Sequence, residues 1–97
     1  MKQLIESENA SYDFVRDAFS KDPRIGDSHT FVPGHDGREG TGSACFAKDI
    51  PAIIKFAQDK IPLSILTEAW NTNCDIRNKY SELLPREKEQ HIQFRKL

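Results

Sequence analysis

The chain has 97 residues, with 14 Lys and Arg against 15 Asp and Glu for a formal net charge of −1, and 37% of its residues are hydrophobic. Mean hydropathy is −0.64, and no stretch of about 18 apolar residues occurs, which excludes a membrane-spanning helix. The balanced charge and moderate apolar content also exclude an obviously disordered chain and a strongly basic nucleic-acid binder.

A chain this long buries roughly 60–70% of its unfolded surface, enough for one small core, so residues 1–97 are read as a single domain. The N-terminus, Met1-Lys2-Gln3-Leu4-Ile5-Glu6-Ser7-Glu8, turns acidic before any apolar stretch. It does not resemble a secretory leader, and the expected location is cytoplasmic. In that compartment Cys45 and Cys74 are expected to stay reduced, as two small apolar side chains.

Residues 3–20 predict a helix, with Phe14, Val15, Ala18 and Phe19 on one stripe. Asn9 and Ser11 are both N-cap residue types, so a break near them is built into this reading. Asp22-Pro23 ends the segment, because the residue before a proline avoids the α region.

All five glycines, Gly26, Gly34, Gly37, Gly40 and Gly42, fall in one window. Residues 28–32 and 43–47 read as short strands, and the glycine-rich loop 33–42 between them reads as the tip of an antiparallel hairpin spanning 28–47. Residues 49–61 predict a helix with Asp49 as N-cap, Pro51 in the first turn, and Ile50, Ile53, Ile54, Ala57 and Ile61 on its apolar face. Residues 63–84 predict a longer helix, with Leu66, Ala69, Trp70, Ile76, Tyr80 and Leu83 on the 3.6 period and one polar interruption at Asn73. Residues 85–97 form a charged C-terminal segment with few apolar side chains. The fold class expected from these elements is α+β: a small β-hairpin or short antiparallel sheet with three to four packed helices.

Candidate chemistry is thin. The glycine loop lacks the Gly-Lys-Ser/Thr ending of a phosphate loop and does not lead directly into a predicted helix. His29, His35, His91 and Cys45 show no metal-ligand spacing, so neither a metal nor a cofactor is expected. No nucleophile elbow is present, and so short a chain leaves little room for a pocket of the usual ~300–1,000 Å³.

The charge is uneven. Residues 1–49 carry six Lys and Arg against nine Asp and Glu, a net −3, while residues 50–97 carry eight against six, a net +2. Phe56 lies beside its helix stripe and Phe94 lies on the charged tail, so both are candidate exposed anchors.

The reading is a non-enzymatic protein–protein interaction module of the inhibitor or immunity type, as found on phages and mobile elements, that blocks a larger enzyme or complex. Its partner-binding loop would be His35, Asp36, Arg38 and Glu39. Its partner-binding C-terminal face would be Arg77, Lys79, Arg86, Lys88, Arg95 and Lys96. Self-association is compatible with the small core. The alternative is a nucleic-acid-binding accessory protein using the same basic C-terminal residues. A second alternative is a small hydrolase or transferase built on His35, Asp36 and Cys45.

Overall fold

The computed structural model describes residues 1–97 and contains five α-helices and no β-strand. The helices are α1 (Lys2–Ser7), α2 (Tyr12–Phe19), α3 (Ala44–Ala57), α4 (Ser64–Arg77) and α5 (Pro85–Glu89). The fold is therefore all-α, and the expected hairpin and α+β class are overturned.

The first predicted helix divides at Asn9, whose φ of 60° cannot continue a helical backbone. Ser11 restarts it: its Oγ accepts from the Phe14 N–H at 3.3 Å, and Asp13 sits in the first turn. The inward face of α2 differs from the predicted stripe. Tyr12 is buried and Phe14 is 76% exposed. Tyr12 turns inward because its hydroxyl donates to the Thr30 carbonyl at 2.5 Å, a link from α2 to the irregular chain beyond it.

Residues 43–47 are the start of α3, not a strand. Ala44, Ala47 and Ile54 are buried and Ile50 is partly so, a spacing of three, three and four that belongs to one helix face. Five residues are too short a window to separate this period from a strand's, and the glycines just before it favoured a turn. Asp49 consequently lies inside the helix, paired with Lys48 at 3.1 Å instead of capping. Pro51 falls in the helix interior.

The core joins α3, α4 and the tail. Ala47 and Ile54 meet Trp70 and Cys74 of α4 and Ile92 and Phe94 of the tail, edged by Ile50, Leu66 and Leu83. Trp70 and Phe94 pack with ring centroids 6.0 Å apart. Phe94 is thus a core residue and not an exposed anchor, whereas Phe56 is 67% exposed. The tail is tied to α4 by polar groups as well. The Trp70 Nε1–H donates to the Arg95 carbonyl at 2.9 Å, Asn78 Nδ2 to the Phe94 carbonyl at 2.9 Å, and Asn71 Oδ1 accepts from the Leu97 N–H at 2.8 Å. These asparagines are weak helix formers that gain their place by satisfying the backbone of a tail that belongs to no helix or strand.

Candidate functional site

The glycine-rich loop is packed onto the end of α4. The Thr41 N–H donates to Asn73 Oδ1 at 2.6 Å, and Asn73 Nδ2 returns a bond to the Thr41 carbonyl at 2.8 Å. The Glu39 N–H donates to the Tyr80 hydroxyl at 2.9 Å, and Arg38 Nη1 to the Glu82 carbonyl at 2.6 Å. The polar interruption at Asn73 is therefore the anchor of the loop.

Two glycines are dictated by this packing. Gly40 has φ +76°, and a Cβ there would lie 2.7 Å from Asn73 Oδ1. A Cβ on Gly42 would collide with the side chains of Arg77 and Glu87. These glycines allow close approach of the backbone to α4 and do not form a hairpin tip.

Beneath the loop lies a buried ionic cluster. Arg77 Nη2 pairs with Glu87 Oε1 at 2.5 Å, and Arg77 Nη1 with Asp36 Oδ2 at 2.9 Å. Glu87 also accepts from the Ser43 N–H at 3.2 Å and, through Oε2, from the Leu84 N–H at 2.9 Å. Removing one member of such a pair costs about 3–5 kcal/mol, because the other charge stays buried without its partner.

Between this loop and the first turn of α3 is a cavity of about 530 Å³. His29 and Phe31 line one part, and His35, Asp36, Arg38 and Glu39 another; Cys45 and Phe46 of α3 close it. The volume is within the usual range for small-molecule sites, more than the little room expected of so short a chain.

The two cysteines part ways here. Cys45 is exposed on the cavity wall, and Cys74 is buried in the core. Burial pushes the Cys74 thiol above its ordinary range, and the negative charge of Asp75 adds to the effect.

All four loop residues singled out from the sequence, His35, Asp36, Arg38 and Glu39, face the same cavity as Cys45. The basic C-terminal residues do not share one setting. Arg77 is 3% exposed and belongs to the buried cluster. Lys79, Arg86, Lys88, Arg95 and Lys96 are exposed, with Lys88 at 3.7 Å from Glu82 and Lys96 at 2.8 Å from Asp75. The Asp75 carboxylate, through its hydrogen bond and its charge, raises the Lys96 ammonium pKa. Sequence reasoning named Arg77 only as part of an exposed basic face, and it missed Asn73 and Glu87 as site residues. The available signal was the i, i+4 pair Asn73 and Arg77, polar side chains on an otherwise inward helix face.

The segment that carries this cavity matches a known family. The model of the UDP-glucose/GDP-mannose dehydrogenase family, central domain, covers residues 1–75. The chain belongs to this family. The match takes in every residue lining the cavity and ends at residue 75, before Arg77 and Glu87. No curated protein and no solved structure matches the chain.

Membership in a dehydrogenase family overturns the reading of a non-enzymatic inhibitor or immunity-type module. It likewise displaces the nucleic-acid-binding and hydrolase or transferase alternatives. The signals that misled were small size and the lack of a compact motif, and neither reports on a cavity assembled from a loop and a helix start. A dehydrogenase needs a hydride acceptor, but the residues here do not fit a dinucleotide cradle. Such a cradle runs from a strand through a glycine turn into a helix, and no strand precedes Gly34–Gly42.

Proposed function

We propose that the cavity between the glycine-rich loop and α3 receives a nucleoside-diphosphate sugar, and that Cys45 is the nucleophile presented to it. The observation that carries this reading is the exposed Cys45 thiol on the wall of a 530 Å³ cavity lying wholly inside the family-matched segment. The family's description names UDP-glucose and GDP-mannose, sugars carried on a diphosphate. A thiol so placed can add to a carbonyl carbon, the group that oxidation of a sugar alcohol creates. The S–C bond forms as the carbonyl π bond opens, and the thiol proton ends on the oxygen. Arg38 lines the same cavity and is the permanently cationic group there for the diphosphate, with a planar fork suited to phosphate oxygens.

Alkylation of the full chain with iodoacetamide, followed residue by residue by mass spectrometry, tests the reading. Cys45 is expected to react and Cys74 to stay closed. UDP-glucose or GDP-mannose, added up to about 1 mM, is expected to slow the reaction at Cys45. Arg38→Ala should weaken that protection severalfold. An unchanged Cys45 rate in the presence of both sugar nucleotides would refute the assignment.

A further inference from the structure

Ser43, the residue before α3, holds φ 65° and ψ −176°, a conformation that side-chain-bearing residues rarely adopt. Such backbone persists only where surrounding groups over-determine it. Here the group is Glu87, whose Oε1 accepts the Ser43 N–H at 3.2 Å while pairing with Arg77. The other side of Arg77 reaches Asp36 Oδ2 at 2.9 Å and the Glu39 carbonyl at 3.4 Å. One buried pair therefore grips the loop at both ends, at Asp36–Glu39 and at Ser43, two residues before Cys45.

The pair is a poor stabiliser on its own terms. Both side chains are sealed from water, and Arg77 Nε is left without a partner. What the pair does supply is geometry. Its hydrogen bonds across the molecule go to the segment that walls the cavity. Both of its members also lie beyond the segment that matches the family.

We propose that Arg77 and Glu87 are positioning residues for the cavity. They hold Ser43 in its strained conformation and thereby set the Cys45 thiol against the Asp36–Glu39 wall. Neither residue lines the cavity, so they act through the loop. The proposal rests on the reading of the cavity as a sugar-nucleotide site.

The test uses the full chain, iodoacetamide and graded UDP-glucose, with Cys74 as an internal reporter of global opening. The variants are Glu87→Gln and Arg77→Lys, each alone and combined with Ser43→Gly. Glycine adopts a φ near 65° without strain, so Ser43→Gly removes the need for the grip at that residue. Each single variant is expected to raise the UDP-glucose concentration that half-protects Cys45 roughly tenfold, with Cys74 still unmodified. Adding Ser43→Gly to Glu87→Gln is expected to restore most of the protection, a recovery that a role in overall stability alone does not produce.

Unchanged protection in the single variants while Cys74 stays closed overturns the proposal, as does a loss that Ser43→Gly does not recover. If Glu87→Gln opens Cys74, Arg77→Lys carries the same two outcomes. If UDP-glucose does not protect the unaltered chain, the substrate reading fails instead. The positioning proposal is then judged on the Cys45 alkylation rate itself. A rate altered by Glu87→Gln and restored by Ser43→Gly supports it, and an unaltered rate overturns it.

Discussion

Cys45 and Cys74 are the same residue type in opposite circumstances. Cys45 sits on a cavity wall in the first turn of α3, and Cys74 faces the core from α4. Burial, helped by Asp75, holds the Cys74 thiol above its ordinary value of 9.0. A raised folded-state value means that the unfolded chain loses this proton first. Stability from the neutral buried thiol is therefore fully present below pH 9.0 and is lost as pH rises toward the folded-state value. Urea unfolding midpoints are expected to fall more steeply above that pH in the unaltered chain than in Cys74→Ala. Parallel pH profiles would show that the buried thiol does not contribute.

At the scale of elements, α3 has a fault at its middle. Pro51 has no N–H to donate to the Ala47 carbonyl, and its ring crowds that same group. Pro51→Ala is expected to raise stability by about 1–3 kcal/mol, read as a higher urea midpoint with an unchanged slope. A lower midpoint would show that the half-buried ring packs well enough to outweigh the missing bond. The neighbouring α4 shows the opposite bargain. Asn71 and Asn73 lower its intrinsic helix preference and Asn78 follows as its C-cap, yet each fastens another segment: the tail through Asn71 and Asn78, the glycine-rich loop through Asn73.

Over the whole molecule, the core is small for the chain. Only ten of 97 residues are buried, while Phe14, Phe56, Ile61 and Ile65 stand in solvent. The radius of gyration is 15.2 Å, against about 12.5 Å for a close-packed domain of this length. Stability therefore depends on very few side chains. Trp70 is central among them, packing on Phe94 and donating to the Arg95 carbonyl. Trp70→Ala is expected to cost about 3–5 kcal/mol, and Trp70→Phe, which keeps most apolar contact and loses the N–H, about 1–2 kcal/mol. Denaturant titration of both variants checks the order. Equal losses would mean that the ring's bulk is not what holds α3, α4 and the tail together.

The sequence by itself determined the break before Ser11, the existence of helices around residues 50–57 and 64–77, and the grouping of His35, Asp36, Arg38 and Glu39 in one glycine-rich segment. Those features follow from short-range chemistry: a side-chain cap, a 3.6-residue period, and glycines close together. Only the tertiary structure decided that residues 43–47 open a helix, that Phe94 and Arg77 turn inward, and that Cys45 shares a cavity with the loop. Each of these depends on partners 10 to 44 residues away, Glu87 for Ser43 and for Arg77, Trp70 for Phe94. Local periodicity carries no record of such distant pairings, because a buried charge reads the same as a solvated one until its counter-ion is in place.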